Sequence, residues 1–592
     1  MTRPPATEHV GGPVDDTGPV QPVQAVESPA DRATGASRAE PPDGRPARRA
    51  RRSWRELAPY AVELLALLPL AWVLRRVMAA PLLSYQDYWD AFYRVTNPDG
   101  SPRWRGFFTY QNEHPFAVPS AVFYAAARIG DGDNRTLGYI VILVAALSVV
   151  LLRSLLPRAW SPMARAWMTV AISVIVFCPA GLWNFVRGMS GTAWLTANLF
   201  AIVAIALAVR RRTVLAIVAA LLAVASYGTG FGALVAIAVV ALVRRQGRWR
   251  VLVPLGLLAV CGAVWVATST GPGSTSGGGV SRNPALLMST FLSNLGLLWA
   301  PVTAEAGTLL GAAGLALLVV TVGVAWRRSA SAEDPDNTVF AELAPWWALA
   351  AYAVVAAALI SLARAEAFIG IGVQSRYASL PALFWIALLV VTARVLLTSN
   401  ALAAATAIGA VAVVFVAQST PLAAQAVGEE PAQRLLATAV RLDAADSFGA
   451  RFQRPNEIIP RLKALHDYPF DDRYSLGCGD LRPGDRVDTS DAATVSTRTG
   501  RIDSDQLTVD SRYLRGWLVD AQPVDCVLLV DRAGTIVGGG AYGFVRPDVA
   551  ATLHRAQQAV GWEAIAPSTA KDVRVVVGLD GGGFRTVTAP TS

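Results

Sequence analysis

The stretch Ser84 to Asp90, SYQDYWD, places two carboxylates, Asp87 and Asp90, three residues apart among tyrosine, tryptophan and glutamine side chains. Further along, YQNEHPF (Tyr110 to Phe116) adds Glu113 and His114, and between the two lies SPRWRGFF (Ser101 to Phe108), with Arg103 and Arg105 flanking Trp104. Carboxylates, an imidazole, guanidinium groups and aromatic faces are the components needed to bind a sugar, move a proton and hold a phosphate. The same residue types also suit helix ends held in water beside a membrane, so the pattern by itself leaves both readings open.

The elements that must position these residues are membrane spans. The 592 residues are 53% hydrophobic and only 16% charged, a balance that soluble domains seldom have. Apolar runs near the length needed to cross the hydrocarbon recur from about Leu57 to Val416. They predict a polytopic α-helical membrane protein of about eleven spans, at roughly 57–80, 137–156, 166–183, 191–209, 213–227, 229–243, 251–268, 306–326, 341–363, 377–397 and 400–418, with an interfacial helix near 285–303. The pair around SYGTGFG (Ser226 to Gly232) is short enough to be read also as a re-entrant hairpin.

The net charge of +9 sits in short arginine clusters between apolar runs, which reads as a topology signal and not as a nucleic-acid footprint. RPARRARRSWR (Arg45 to Arg55), RRR (Arg210 to Arg212), RRQGRWR (Arg244 to Arg250) and WRR (Trp326 to Arg328) share one side, the cytoplasm. An odd span count then exports the C-terminal region and the loop bearing Asp87. The expectation is a multi-pass protein of the cytoplasmic (plasma) membrane, with membrane lipids and no nucleic acid among its partners.

Four regions follow: a disordered, polybasic tail over 1–56, a membrane domain over 57–418 whose first exported loop is 81–136, an exported helical connector over 419–470, and an exported domain over 471–592. Short strand-like runs such as DCVLLVD and VRVVVGLDGGGFRTVT, punctuated by Gly, Pro and Asp, predict a jelly-roll-like β-sandwich for the last. Of four cysteines, Cys478 and Cys526 lie there, where an oxidising compartment allows a disulfide; two buried thiols are the alternative. GPGSTSGGG (Gly271 to Gly279) reads as a flexible outward loop.

Two further arginines stand at the outer headgroup level: Arg376, beside Tyr377 in QSRY, and Arg187, in WNFVRGMSG with Asn184. A guanidinium grips phosphate oxygens bidentately, although an arginine at this depth also snorkels to the interface and Tyr377 also suits an aromatic belt. A divalent ion held by Asp87, Asp90 or Glu113 is compatible with the pattern, whereas a His-rich zinc site is not.

A hydrophobic first span, a long outward loop opening on an acidic residue, many further spans and an exported C-terminal domain resemble the GT-C class of integral-membrane glycosyltransferases. The resemblance covers roughly 57–418 in architecture and rests on QDYWD, NEHP, WNFVRGMSG, SYGTGFG and SRYASLPALFW. It implies an inverting enzyme that takes a sugar from a polyprenyl-phosphate-linked donor to a cell-envelope glycan or lipid acceptor outside the cytoplasmic membrane. The resemblance implies Asp87 as the catalytic base; the pattern of residues adds Asp90, Glu113 and His114 as catalytic candidates, Asp90 or Glu113 supporting the base or binding metal, and Arg376, Tyr377, Arg187, Asn184, Trp104 and Arg105 as candidates for binding substrate. The strict adjacent acidic pair of the class is absent. The competing readings are a lipid-linked sugar transporter or flippase and a non-catalytic envelope scaffold. Apart from Glu63, Arg75 and Arg76 the expected span interiors are nearly free of charge, which disfavours ion-coupled transport.

Overall fold

A computed structural model describes residues 54–111, 114–269, 281–300, 304–330, 338–369, 373–397, 399–418, 430–449 and 451–588. The expected N-terminal tail up to residue 53, the loop 271–279 and Glu113 lie outside the described residues.

Among the described residues eight helices are long and apolar enough to cross a membrane: Glu56–Met78, Asn134–Leu155, Pro162–Val186, Gly188–Val209, Arg248–Thr268, Glu305–Ala330, Ala344–Arg364 and Ser379–Leu396. The remaining three expected segments are shorter apolar helices, Thr213–Ser226, Gly228–Val243 and Asn400–Val414. Packing sorts them by depth. Pro162–Val186 has 78% of its most apolar window buried and sits at the centre, whereas Glu56–Met78 and Arg248–Thr268 have 6% buried and present apolar side chains outward. Because successive helices alternate in direction, the bundle has an end rich in arginine (Arg153, Arg211, Arg244, Arg328, Arg394) and an opposite end to which Asp87, Arg187 and Arg376 belong. At the arginine-rich end Arg153 grips Glu63 through Nε and Nη2 at 2.9 and 2.8 Å, tying the helix Asn134–Leu155 to the first span.

The chain beyond the bundle contains the helices Glu430–Arg441 and Pro455–Leu465, then the strands β3 (Ala493–Thr494), β4 (Gly500–Leu507), β5 (Ser511–Leu518), β6 (Val524–Val530), β7 (Ile536–Phe544), β8 (Gly561–Pro567), β9 (Arg574–Leu579) and β10 (Phe584–Val587). A two-residue hairpin nearer the N-terminus, β1 (Tyr110–Gln111) and β2 (His114–Pro115), precedes them. In place of the two stacked sheets of a sandwich, the eight strands form one sheet in the order β3-β10-β9-β6-β7-β8-β5-β4. The reason is that β8 pairs with both β5 and β7, joining what would be separate layers. The sheet curls until Ile502 N donates to Thr588 O at 3.2 Å across its ends.

Both faces of this sheet are buried along its central strands β6 and β9. Along β6, Val527 and Leu529 point into the curl with Leu514, Trp562 and Val577, while Cys526, Leu528 and Val530 point the other way. That second face shares a core with Phe452 and Leu462 of the connector and with Tyr88, Trp89 and Phe92. Cys478 and Cys526 form a disulfide, 5.5 Å between Cα atoms, which takes up the bridged alternative. Gly578 lies beneath it: a Cβ there would fall 2.0 Å from the Cys478 sulfur.

At the junction, Arg473 pairs with Asp131, Asp133 and Asp471 at 3.7, 3.0 and 2.6 Å. Asp467 is fully buried against Gly132, and neither of its carboxylate oxygens has a hydrogen-bond partner among the described residues. Burial, reinforced by Asp131 and Asp471, pushes its carboxyl up to about 8. The folded chain thus keeps a proton that the unfolded chain sheds above about pH 4. Stability should therefore fall as pH rises from about 4 to about 8. Thermal unfolding followed by tryptophan fluorescence should show that decline in the parent protein and a flatter profile in Asp467→Asn, with a gap of about 1–3 kcal/mol near pH 8.

Candidate functional site

The loop before Asp87 is held by one buried amide. Asn134 Nδ2 donates to Val186 O at 2.8 Å and to Pro81 O at 3.2 Å, and Asn134 Oδ1 accepts from Gly188 N at 3.2 Å. The neighbouring Arg135 Nε donates to Ala80 O at 2.7 Å. Two loops, one leading to Asp87 and one carrying Arg187, are thereby fixed to the same helix end. Gly188 is required at this crossing, since a Cβ would lie 2.4 Å from Leu137 Cβ.

Asp87 opens the helix Asp87–Val95, where the positive end of the helix dipole favours a carboxylate. The preceding Gln86 has φ 25° and ψ −101°, a strained conformation for a side-chain-bearing residue that persists only where surrounding packing dictates it. Here Tyr88, Trp89, Phe92 and Val95 supply that packing on the buried face of the helix.

Asp87 lines a cavity of about 140 Å³ together with His114, Arg187, Arg364, Arg376 and Tyr377. The hairpin register Gln111↔His114 brings both of those side chains to its wall. The Arg187 guanidinium carbon lies 3.3 Å from the Trp183 ring centre and 4.4 Å from that of Tyr85, so it is sandwiched between aromatic faces. Arg376 is largely enclosed, its Nε buried without a hydrogen-bond partner among the described residues, with Asp87 among the charges that favour its cationic form. Asn184 stands behind the wall: its Nδ2 donates to Arg376 O at 2.9 Å and its Oδ1 accepts from Ser190 at 3.1 Å.

An aromatic ladder floors the cavity. His114 packs tilted against Tyr227 at 3.9 Å, Tyr227 tilted against Trp194 at 4.0 Å, and Trp194 meets Tyr377 edge-on at 4.8 Å. Gly228 lets the imidazole approach, because a Cβ there would fall 2.8 Å from His114 Nδ1. Burial, then Arg364 and Arg376, hold the His114 pKa down to about 3. The imidazole is therefore neutral near pH 7, able to donate from one nitrogen and accept at the other. Three guanidinium groups then face one carboxylate among the described lining residues.

A second cavity, about 400 Å³ and almost wholly apolar, adjoins the first and shares His114, Trp194, Tyr227, Arg364 and Tyr377 with it. Its remaining wall includes Phe231, Leu258, Trp265 and Leu359.

Of the residues singled out from sequence, Asp87, His114, Arg187, Arg376 and Tyr377 come together, with Asn184 in support. Asp90 does not reach the cavity, because Arg94 one turn on captures it at 3.4 Å and itself donates to Tyr110 O. Trp104 is 70% exposed and, like Arg105, lies outside the cavity lining; Trp104 stacks on Phe107. Among the described residues no group of three His, Cys, Asp or Glu side chains is arranged to hold a metal ion. Arg364 was missed, although it ends an apolar run at the same level as Arg376, the signal that selected Arg376. No family model matches the chain, and neither does any curated protein or solved structure.

The titration of His114 is directly observable. Its imidazole resonances should remain those of the neutral ring down to about pH 4, and Arg364→Gln should raise the midpoint by removing a neighbouring cation. Since the unfolded chain takes up this proton near pH 6.5 and the folded chain near pH 3, acidification through that window should destabilise the fold. An ordinary midpoint near 6.5 would refute the buried placement.

Proposed function

We propose that this protein is a membrane glycosyltransferase that moves a sugar from a polyprenyl-phosphate-linked donor to an envelope glycan or lipid acceptor on the outer side of the cytoplasmic membrane. The observation that carries the reading is the meeting of one carboxylate, Asp87, with Arg187, Arg364 and Arg376 in a cavity continuous in its walls with an apolar one. A lipid-linked sugar phosphate has the matching parts: a polar sugar, an anionic phosphate and a long apolar tail.

In this mechanism the acceptor hydroxyl attacks C1 of the donor sugar and gives its proton to Asp87. The new C1–O bond forms as the bond from C1 to the phosphate oxygen breaks, and the lipid phosphate departs with the electron pair. The arginines neutralise the charge that develops there. His114, neutral, orients a hydroxyl by hydrogen bonding and adds no cation. Tyr227, Trp194 and Tyr377 present ring faces to the sugar, and the resemblance to the GT-C class implies inversion at C1. The arginine-rich end of the bundle then faces the cytoplasm.

Asp87→Asn keeps the shape of the side chain and removes its basicity. In membranes supplied with radiolabelled polyprenyl-phosphate sugar it should lower transfer by about 10²–10⁴-fold while thermal unfolding stays unchanged. Arg376→Gln should weaken donor use by about 10- to 100-fold. Full transfer by a normally folded Asp87→Asn protein would overturn Asp87 as the base, and no transfer by the parent protein itself would favour the non-catalytic scaffold.

A further inference from the structure

The helical turn Trp104–Phe108 was expected to meet substrate, yet its exposed side chains lie away from the Asp87 cavity. Trp104 is 70% and Phe108 80% exposed, and the neighbouring Arg103 and Arg105 are exposed too. Neither guanidinium has an ion pair among the described residues. The base of the turn is rigid. Phe107 is buried, with its ring centre 5.5 Å from that of Trp104, and meets Tyr124 edge-on at 5.8 Å. Gly106 sits so close to the preceding helix that a Cβ would fall 1.8 Å from the Arg94 carbonyl oxygen. The two exposed rings are therefore held out from a fixed support.

Two contacts set the level of this support. Tyr110 Oη lies 2.6 Å from Thr268 Oγ1, at the end of the span Arg248–Thr268, whose apolar side chains face outward. Phe108 is two residues from Tyr110, within about 7 Å along the chain. The helix Ala117–Gly130, which carries Tyr124, ends where a Cβ on Gly130 would fall 2.5 Å from Thr136 Oγ1, in the first turn of the span Asn134–Leu155. Leu143, Leu147 and Val150 of that span are exposed, as is Ile129 just before it. The turn thus stands beside the place where two outward-facing apolar spans end.

We infer that Arg103–Phe108 docks on the bilayer surface at the Asp87 end of the bundle, with Trp104 and Phe108 entering the boundary between headgroups and acyl chains and Arg103 and Arg105 contacting lipid phosphates. Tryptophan favours this depth because its ring is apolar and its N–H is polar, and a guanidinium matches phosphate oxygens. A glycan would also stack on Trp104. Phe108, which has no polar atom to offer a sugar, and two adjacent cations favour an amphipathic anionic surface instead. The surface is separate from the Asp87 cavity and the inference stands whether or not sugar transfer does.

The test uses the purified full-length chain carrying Cys178→Ala and Cys261→Ala, with the Cys478–Cys526 disulfide intact, in nanodiscs of phosphatidylcholine and phosphatidylglycerol. A nitroxide is attached at Phe108→Cys, at Trp104→Cys or, as a water-level control, at Val509→Cys, where the parent side chain is 99% exposed. Power saturation then gives the ratio of collisions with oxygen to collisions with a water-soluble nickel chelate. A ratio at 108 or 104 about threefold or more above that at 509 supports the docking, since oxygen concentrates in lipid and the chelate is excluded. Ratios at both positions equal to that at 509 would overturn it, and shielding of such a water-level label at 104 by added maltoheptaose would point to a glycan surface. Arg103→Gln combined with Arg105→Gln should lower the ratio at 108 by about twofold. A ratio unchanged by that pair would overturn the contact with lipid phosphate.

Discussion

The geometry of the candidate site depends on the buried amide of Asn134. Its side chain binds backbone atoms of Pro81, Val186 and Gly188, residues more than fifty positions from it in either direction. Each of those backbone groups, left unpaired in an apolar interior, would cost of the order of 1–3 kcal/mol. Satisfying them with one side chain fixes where two loops leave the bundle. Asp87 and Arg187 inherit their positions from that fix, and the close crossing at Gly188 leaves little freedom to relax.

Among the described lining residues three guanidinium groups, Arg187, Arg364 and Arg376, share the cavity with one carboxylate, Asp87. Aromatic faces lie on either side of Arg187, and the neutral state of His114 avoids a fourth cation. On the proposed reading these guanidinium groups are placed in advance, by folding, where the donor phosphate would sit, which is electrostatic preorganisation.

How much of this was legible in the sequence follows from the range of each signal. Apolar runs are local, so every helix expected of the bundle was found, and three fell short only in length. Asp87, Arg187 and Arg376 were legible because position at a span end fixes depth, and residues at one depth in a compact bundle meet. Asp90 and Arg105 share that depth yet turn elsewhere, for depth says nothing of azimuth; Arg94 decides the direction of Asp90. Trp194 was not singled out and Tyr227 entered only within SYGTGFG; the ladder from His114 to Tyr377 is what brings both to the site. The joining of the strands into one sheet was not legible, since alternation fixes faces and leaves pairing partners open.

The C-terminal sheet is better understood as part of the site's support than as an appendage. The helix bearing Asp87 turns Trp89 onto Phe452 of the connector, 4.8 Å between ring centres, and Arg461 Nε reaches back to Thr96 O at 3.2 Å. Arg454 and Arg461 each lie 4.7 Å from the Tyr93 ring. That aromatic face continues into the outer face of β6 through Leu528 and Val530, and the disulfide secures the strand's first turn of core at Cys526. A strained Gln86 survives only if the helix that follows cannot shift, and the packing of the C-terminal region against that helix is what denies it that shift. Removing the sheet would therefore expose one face of the Asp87 helix and release the carboxylate to which the proposed chemistry is assigned.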